Sequence, residues 1–205
     1  MTDDGIGRIL VASLHQGIGD TLPVRLDYYE HWLSPMGLKD GRAGLAPLGA
    51  VLSFLRQEGQ DVYDRVMASA GRYSAEWHYQ EGGRTQGVLR LLPHWLRARV
   101  ALRRSRSLLQ SAFTPARVKV SVRRGVGKVS VTGGVFCVLR ETWPWPTCRY
   151  FAAAVERHLA LQGVLAEVRI LGCQAVGDGA CTAQVSFRRP SQELRSDLPP
   201  TGEAA

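Results

Sequence analysis

Four cysteines are the residues of this chain best suited to chemistry, and two of them flank a single turn. In "LGCQAVGDGACTAQVSF", residues 171–187, Cys173 and Cys181 stand on either side of Gly177, Asp178 and Gly179. A hairpin that turns about Gly177 sets the two thiols directly opposite each other. Opposed side chains share a face, with Cβ atoms about 5 Å apart, and the three turn residues are expected to supply positive φ angles. Such a pair can share one Zn2+, close a disulfide, or pack as small apolar side chains. Cys148 opens a helix expected over 148–162, and a helix N-terminus favours the thiolate that binds metal. That helix, packed antiparallel to a strand over 164–173, returns position 148 to the side of 173. Cys137 lies in "VFCVLRE", which reads as a strand, on the face of Val135 and Leu139.

Other candidate groups are less focused. Arg99, Arg103 and Arg106 share a helical face by their spacing. They could bind an anionic ligand or an acidic partner protein, or form a plain solvated face. No helix-turn-helix or aromatic-interleaved motif accompanies them, so nucleic acid is not expected as a partner. "RRGVGKVS" (123–130) resembles a phosphate loop but has Val122 where the pattern needs Gly, and Val129 after its lysine. "GIGDTL" (17–22) opens no clear helix, so no nicotinamide or flavin motif is visible. His15, His31, His78, His94 and His158 show no metal-binding spacing and read as surface or interfacial residues. His158 follows Cys148 by ten positions, about 15 Å along a helix axis, too far to share its metal.

The elements that must position these groups follow from apolar periodicity. A short helix is expected through Tyr28, Tyr29 and Trp32, and longer ones over 44–59, 60–80 and 91–113. The signal over 1–19 is weak. From 116 the period becomes two, with Val118, Val120 and Val122 alternating against Lys119, Ser121 and Arg123. "GVGKVSVTGG" follows, then the "VFCVLRE" strand, the irregular "TWPWPT" loop, the 148–162 helix, and strands over 164–173 and 181–187. Helices first and strands later suggest an α+β fold with a helical layer on an antiparallel sheet, in one domain over 20–189. Residues 190–205 read as a disordered tail.

The net charge of +8 is concentrated: residues 97–140 hold eleven basic side chains and no acidic one. No segment approaches the roughly 20 apolar residues of a membrane span. The acidic start and an apolar run broken at His15 and Gln16 make a poor signal peptide, so a cytoplasmic chain is expected. Four cysteines are too few for a disulfide scaffold.

The run from "VFC" through "PTCRYFAAAVERHL" to "GCQAVGDGACTAQVSF" resembles the 4-vinyl-reductase-type domain family, specifically over 127–188 and diffusely over 20–113. The family occurs alone in bacteria and archaea and as the sensor of aromatic-responsive transcription activators, with distant kinship to Golgi-tethering subunits. The resemblance implies a ligand pocket between the helical layer and the sheet, for which Tyr28, Trp32, Phe54, Tyr73, Trp77 and Trp143 are candidates. It also implies a structural zinc on Cys148, Cys173 and Cys181. Zinc-binding relatives place a carboxylate three residues before the second of these, where this chain has Ile170. The fourth ligand is then Cys137, a carboxylate such as Glu167 or Asp178, or water. The implied function is a small-molecule-binding or carrier protein for an apolar, anionic ligand, a tetrapyrrole first. A vinyl-tetrapyrrole reductase of bacteriochlorophyll synthesis and a ligand-free homodimeric scaffold are the alternatives.

Overall fold

The computed structural model describes residues 5–33, 44–82, 92–137 and 142–188, except for the side chains of 31–33. The expected tail from 190 onward and the side chain of Trp32 lie outside the described residues. Six helices come into view, α1 (Arg8–Thr21), α2 (Leu26–Leu33), α3 (Leu45–Gln57), α4 (Gln60–Glu81), α5 (His94–Ala112) and α6 (Arg149–Leu161). Four strands, β1 (Arg117–Arg123), β2 (Val126–Thr132), β3 (Ala166–Gly172) and β4 (Cys181–Phe187), form one antiparallel sheet in the order β1-β2-β4-β3. The fold is therefore α+β, as the element order implies.

The sheet turns one face inward. Val118, Val129, Val131, Val168, Cys181 and Val185 are buried, and their neighbours along each strand are exposed or half-buried. This period of two follows from the alternation of side chains across a pleated strand. Against that face lies α6, with Phe151, Ala152 and Val155 turned toward the strands. On the far side of α6 runs α4, the longest helix, which also packs against α1.

The approach of α4 to its neighbours is set by small residues. A Cβ at Gly71 would overlap the carbonyl oxygen of Tyr150, and one at Gly17 would come 2.7 Å from the carbonyl oxygen of Val66. Neither position has room for a side chain, so the backbones meet directly. The weak signal over 1–19 resolves into α1, whose Leu10, Val11, Leu14 and Ile18 are buried in the common core. Residues 8–19 are thus core rather than a separate leading segment.

The start of one expected strand takes another form. Residues 135–137 form a turn, closed by the Cys137 amide donating to the Gly134 carbonyl at 2.9 Å. Residues 138–141 lie outside the described residues. The apolar residues Val135, Phe136 and Cys137 are buried because the turn dives under α6, not because they alternate in a sheet.

Candidate metal centre

Four separate segments deliver the four cysteines to one point. Cys137 comes from the turn after β2, and Cys148 is the N-cap of α6. Cys173 is the first residue past β3, and Cys181 is the first of β4. The β3–β4 register keeps one alignment from Ala166↔Phe187 to Ile170↔Ala183 and shifts by one residue at Leu171, so that Gly172↔Thr182, the last pair before the turn, is centred on Gly177. Its turn is tighter than a plain loop: residues 174–176 make a single 3-10 turn, and Gly177 alone takes a left-handed conformation, at φ 101°. Asp178 and Gly179 do not share it, because the Asp178 carboxylate folds back to accept the Cys173 amide at 2.7 Å.

All four side chains are buried, and their Sγ atoms lie within 4.8 Å of one another. Cys137 is 3.5 Å from Cys173 and 3.2 Å from Cys181, and Cys173 is 3.9 Å from Cys181. These are not disulfide lengths, and all four cysteines are free. A tetrahedral ion with Zn–S bonds of about 2.3 Å spaces its sulphurs about 3.8 Å apart, close to what the cluster shows. The surroundings favour thiolate at Cys173 and Cys181. The amides of Thr147 and Gln174 each donate to sulphur at 3.4 Å, to Cys173 and Cys181 respectively. The Thr147 hydroxyl donates to the Phe136 carbonyl at 2.8 Å and turns its lone pairs to Cys137 at 3.4 Å.

Protonation within the cluster is divided. Cys173 and Cys181 are pulled down by accepting from Cys137 first and Cys148 second. Cys148 is pushed up by its contact with Cys137, then by those with Cys173 and Cys181 and by burial. For Cys137 the contact with Cys148 favours the thiolate, and the contacts with Cys173 and Cys181 together with burial outweigh it. Four thiolates this close repel one another, and a divalent cation at their centre removes that repulsion. Four sulphurs fill a tetrahedral shell and leave no position for a reactive water, so such a site is structural.

Of the candidates for a fourth ligand, Cys137 is the one that stands with the other three sulphurs. Glu167 is exposed on β3 and faces Arg188 at 3.6 Å, and Asp178 is occupied with the turn. Ile170 lines a small apolar space beside Cys148 and Cys181. Sequence reasoning missed Arg56, only 4% exposed, whose Nη2 donates to the Phe136 carbonyl at 3.0 Å. Its guanidinium carbon sits 5.9 Å from the Tyr63 ring centroid and 5.8 Å from that of Trp143. Tyr63 is fully buried and donates to the Thr147 carbonyl at 3.0 Å. The signal was present: Arg56 follows Leu48 and Leu52 at steps of four, on the buried stripe of α3.

The candidate pocket aromatics do not converge. Tyr28 touches Phe54 edge-on at 5.4 Å between α2 and α3. Tyr73 and Trp77 lie 5.6 Å apart on α4, and Trp143 meets Trp145 at 5.4 Å in the loop before Cys148. The space between α6 and the sheet holds only about 20 Å3. The large opening is a cleft of about 960 Å3 beside it, where α4, the start of α6 and β3 meet. Arg65, Arg72, Arg149 and Arg169 line it, opposite Asp20, Asp64 and Glu167. None of the four arginines is within ion-pair distance of a carboxylate among the described residues. Burial works against the Asp20 carboxylate, but hydrogen bonds from Tyr73, Gln16 and Ser69 hold its pKa below the usual range. Arg99, Arg103 and Arg106 are exposed along α5, away from this cleft.

Among the described residues no helix is long and apolar enough to cross a membrane. No family model and no curated protein matches the chain. Among solved structures it is similar to a trafficking protein particle complex subunit 3 from Naegleria fowleri, covalently bound to palmitic acid. The TM-score is 0.51 at 10% identity, covering 71% of this chain and 93% of that one. It also matches the phenol-responsive sensory domain of the transcription activator PoxR, with phenol, at a TM-score of 0.44 and 17% identity, over 76% of this chain and 82% of that one. The likeness to the trafficking-particle subunit is one of α+β fold alone.

Proposed function

We propose that the protein is a small-molecule-binding or carrier domain whose wall is braced by a structural Zn2+ on Cys137, Cys148, Cys173 and Cys181. One observation carries this reading: the cysteine segments and the cleft wall are the same pieces of chain. Pro146 and Arg149 flank Cys148, and Val168, Arg169 and Ile170 run up to Cys173. A metal that fixes the two cysteines also fixes the residues that face a ligand. The cleft's four arginines, in no ion pair among the described residues, suit a ligand with carboxylates, and the apolar margin at Pro146, Val168 and Ile170 suits a flat hydrophobic body. A tetrapyrrole, the ligand class implied by the family resemblance, has both. The palmitate carried by the trafficking subunit supports this architecture as a lipid or apolar-ligand scaffold.

Two measurements test the reading separately. Metal analysis of the purified protein is expected to give about one equivalent of zinc, as a single tetrahedral site requires; metal-free protein of full stability would remove the brace. Absorbance and native mass spectrometry after incubation with a dicarboxylate tetrapyrrole are expected to show a one-to-one complex, weakened about tenfold by Arg149→Ala. Absence of any complex would remove the ligand. A second reading, a homodimer or scaffold without ligand that docks an acidic partner on Arg99, Arg103 and Arg106, is favoured by the nearly closed space of about 20 Å3 under α6. Concentration-dependent dimerisation with no ligand uptake would select it. Consumption of NAD(P)H with a divinyl tetrapyrrole would instead make the protein a reductase.

A further inference from the structure

A second polar site lies at the opposite end of α6, built from residues the cleft and the cysteines do not use. His158 and Gln162 sit on one face of the helix end, 4% and 6% exposed. Across from them are His78 and Tyr79 of α4 and Arg104 and Ser107 of α5, and the three helices enclose a cavity of about 220 Å3. The imidazoles of His78 and His158 are 6.0 Å apart. Of the two readings of His158, surface or interfacial, this position is the interfacial one. It is a buried side chain, and its helix-end position hid the burial because α5 and α4 both close over it.

The hydrogen bonding there is incomplete. His158 Nε2 lies 2.5 Å from the terminal nitrogen of Gln162, which leaves His158 Nδ1 and Gln162 Oε1 buried with no partner among the described residues. Turning the Gln162 amide over does not change the balance. With the nitrogen as donor, His158 Nδ1–H is the unmet donor; with the oxygen as acceptor, the Gln162 NH2 is. Either way, one buried donor and one buried acceptor are left unmet beside this cavity, and the donor is the one that can meet an anion. Leaving such groups unsatisfied is costly, so the arrangement is expensive unless something binds there. Arg104 brings a guanidinium to the same cavity, and its charge, after burial and His78, helps hold the His158 pKa down at about 4.

We propose that this cavity between α4, α5 and α6 is a binding site for a small oxyanion, a carboxylate or a phosphate group, held by Arg104 and by the unmet donor of the His158–Gln162 pair, with His78 and Ser107 at its mouth. The positive segment of the sequence thus has one member with a defined inward task. Arg104 is not on the Arg99–Arg103–Arg106 face, and its neighbour in sequence, Arg103, is exposed. The site stands independently of the proposed zinc and of the cleft ligand.

Titration of the full chain with acetate and, separately, with inorganic phosphate, followed by NMR of the His158 and His78 rings, tests the site. A saturable shift with a Kd of about 1 mM or tighter is expected for at least one anion. Saturation by acetate alone assigns a carboxylate, and saturation by phosphate alone or by both assigns a general oxyanion site. Arg104→Met is expected to weaken binding at least about tenfold, whereas Lys119→Met, which removes an equal charge from exposed β1, leaves it unchanged. Non-saturating shifts with both anions in the unsubstituted protein would overturn the proposal. So would equal weakening by the two substitutions, which would mark diffuse attraction to a basic protein.

Discussion

The two ends of α6 solve the problem of buried polarity in opposite ways. At the N-terminal end, four thiols from four segments meet within 4.8 Å, and backbone amides of Thr147 and Gln174 point at two of the sulphurs. At the C-terminal end, about 15 Å along the axis, His158 and Gln162 bond to each other and still hold unmet atoms beside a cavity. The first group closes on itself with the spacing that one compact ion would need, so its value is to the fold. The second keeps an open valence, so its value is to something that comes and goes. Burial alone does not separate the two roles; the state of the remaining lone pairs and protons does.

The largest effect should come from breaking the closed end. Cys173→Ala removes the sulphur that both Cys137 and Thr147 face. It is expected to release zinc and cost about 4 kcal/mol or more, a fall in Tm of about 8–16 °C for a chain this size; calorimetry with metal analysis checks it. Titration probes the open end. His158 is held neutral, with its pKa lowered from 6.5 to about 4 by burial, then by His78 and Arg104. Below about pH 6.5 the unfolded chain takes up a proton that the folded ring refuses, so stability falls as pH drops toward about 4. The full loss is on the order of 3 kcal/mol, read from urea midpoints at pH 7 and pH 4.5, and an anion in the cavity should reduce it.

Arg56→Met sharpens the contrast further. If the cluster is a zinc tetrathiolate, it bears net negative charge and the buried guanidinium offsets it; removing that guanidinium should cost about 2 kcal/mol. If the thiols are neutral, Arg56 is a buried charge without a counterion, and Met should be neutral or stabilising. The smallest effect is expected for Tyr63→Phe, which removes only the hydrogen bond to the Thr147 carbonyl and should cost about 1 kcal/mol.

How far each end was legible follows from the geometry involved. The Cys173 and Cys181 pairing was readable because a hairpin has a period of two and a centre of symmetry, so its register can be counted. Cys148 was readable as a helix start. Cys137 joins the cluster from a different element than expected: apolar "VFC" fits the start of a strand pattern equally well when it is a buried turn. Arg56 was missed, and the burial of His158 left open, because a polar residue on a buried stripe looks, in sequence, like an interruption of the stripe. The α1 signal was weak because close helix packing at Gly17 uses absence of a side chain, which contributes nothing to an apolar period. The candidate aromatics failed to converge because aromatic content marks buried area but not a common centre.

The chain order of the four cysteine segments also sets a schedule. Helices α1 to α5 and the β1–β2 hairpin are complete by Thr132, before the first cysteine of the cluster is reached at Cys137. The last arrives at Cys181, on a strand that must insert between β2 and β3. During synthesis, at about 5–20 residues per second, β2 therefore waits several seconds with an unpaired edge beside a half-built thiol cluster. The nascent chain is most exposed to mispairing and to oxidation in that interval, and the arrival of β4 ends both hazards in a single step.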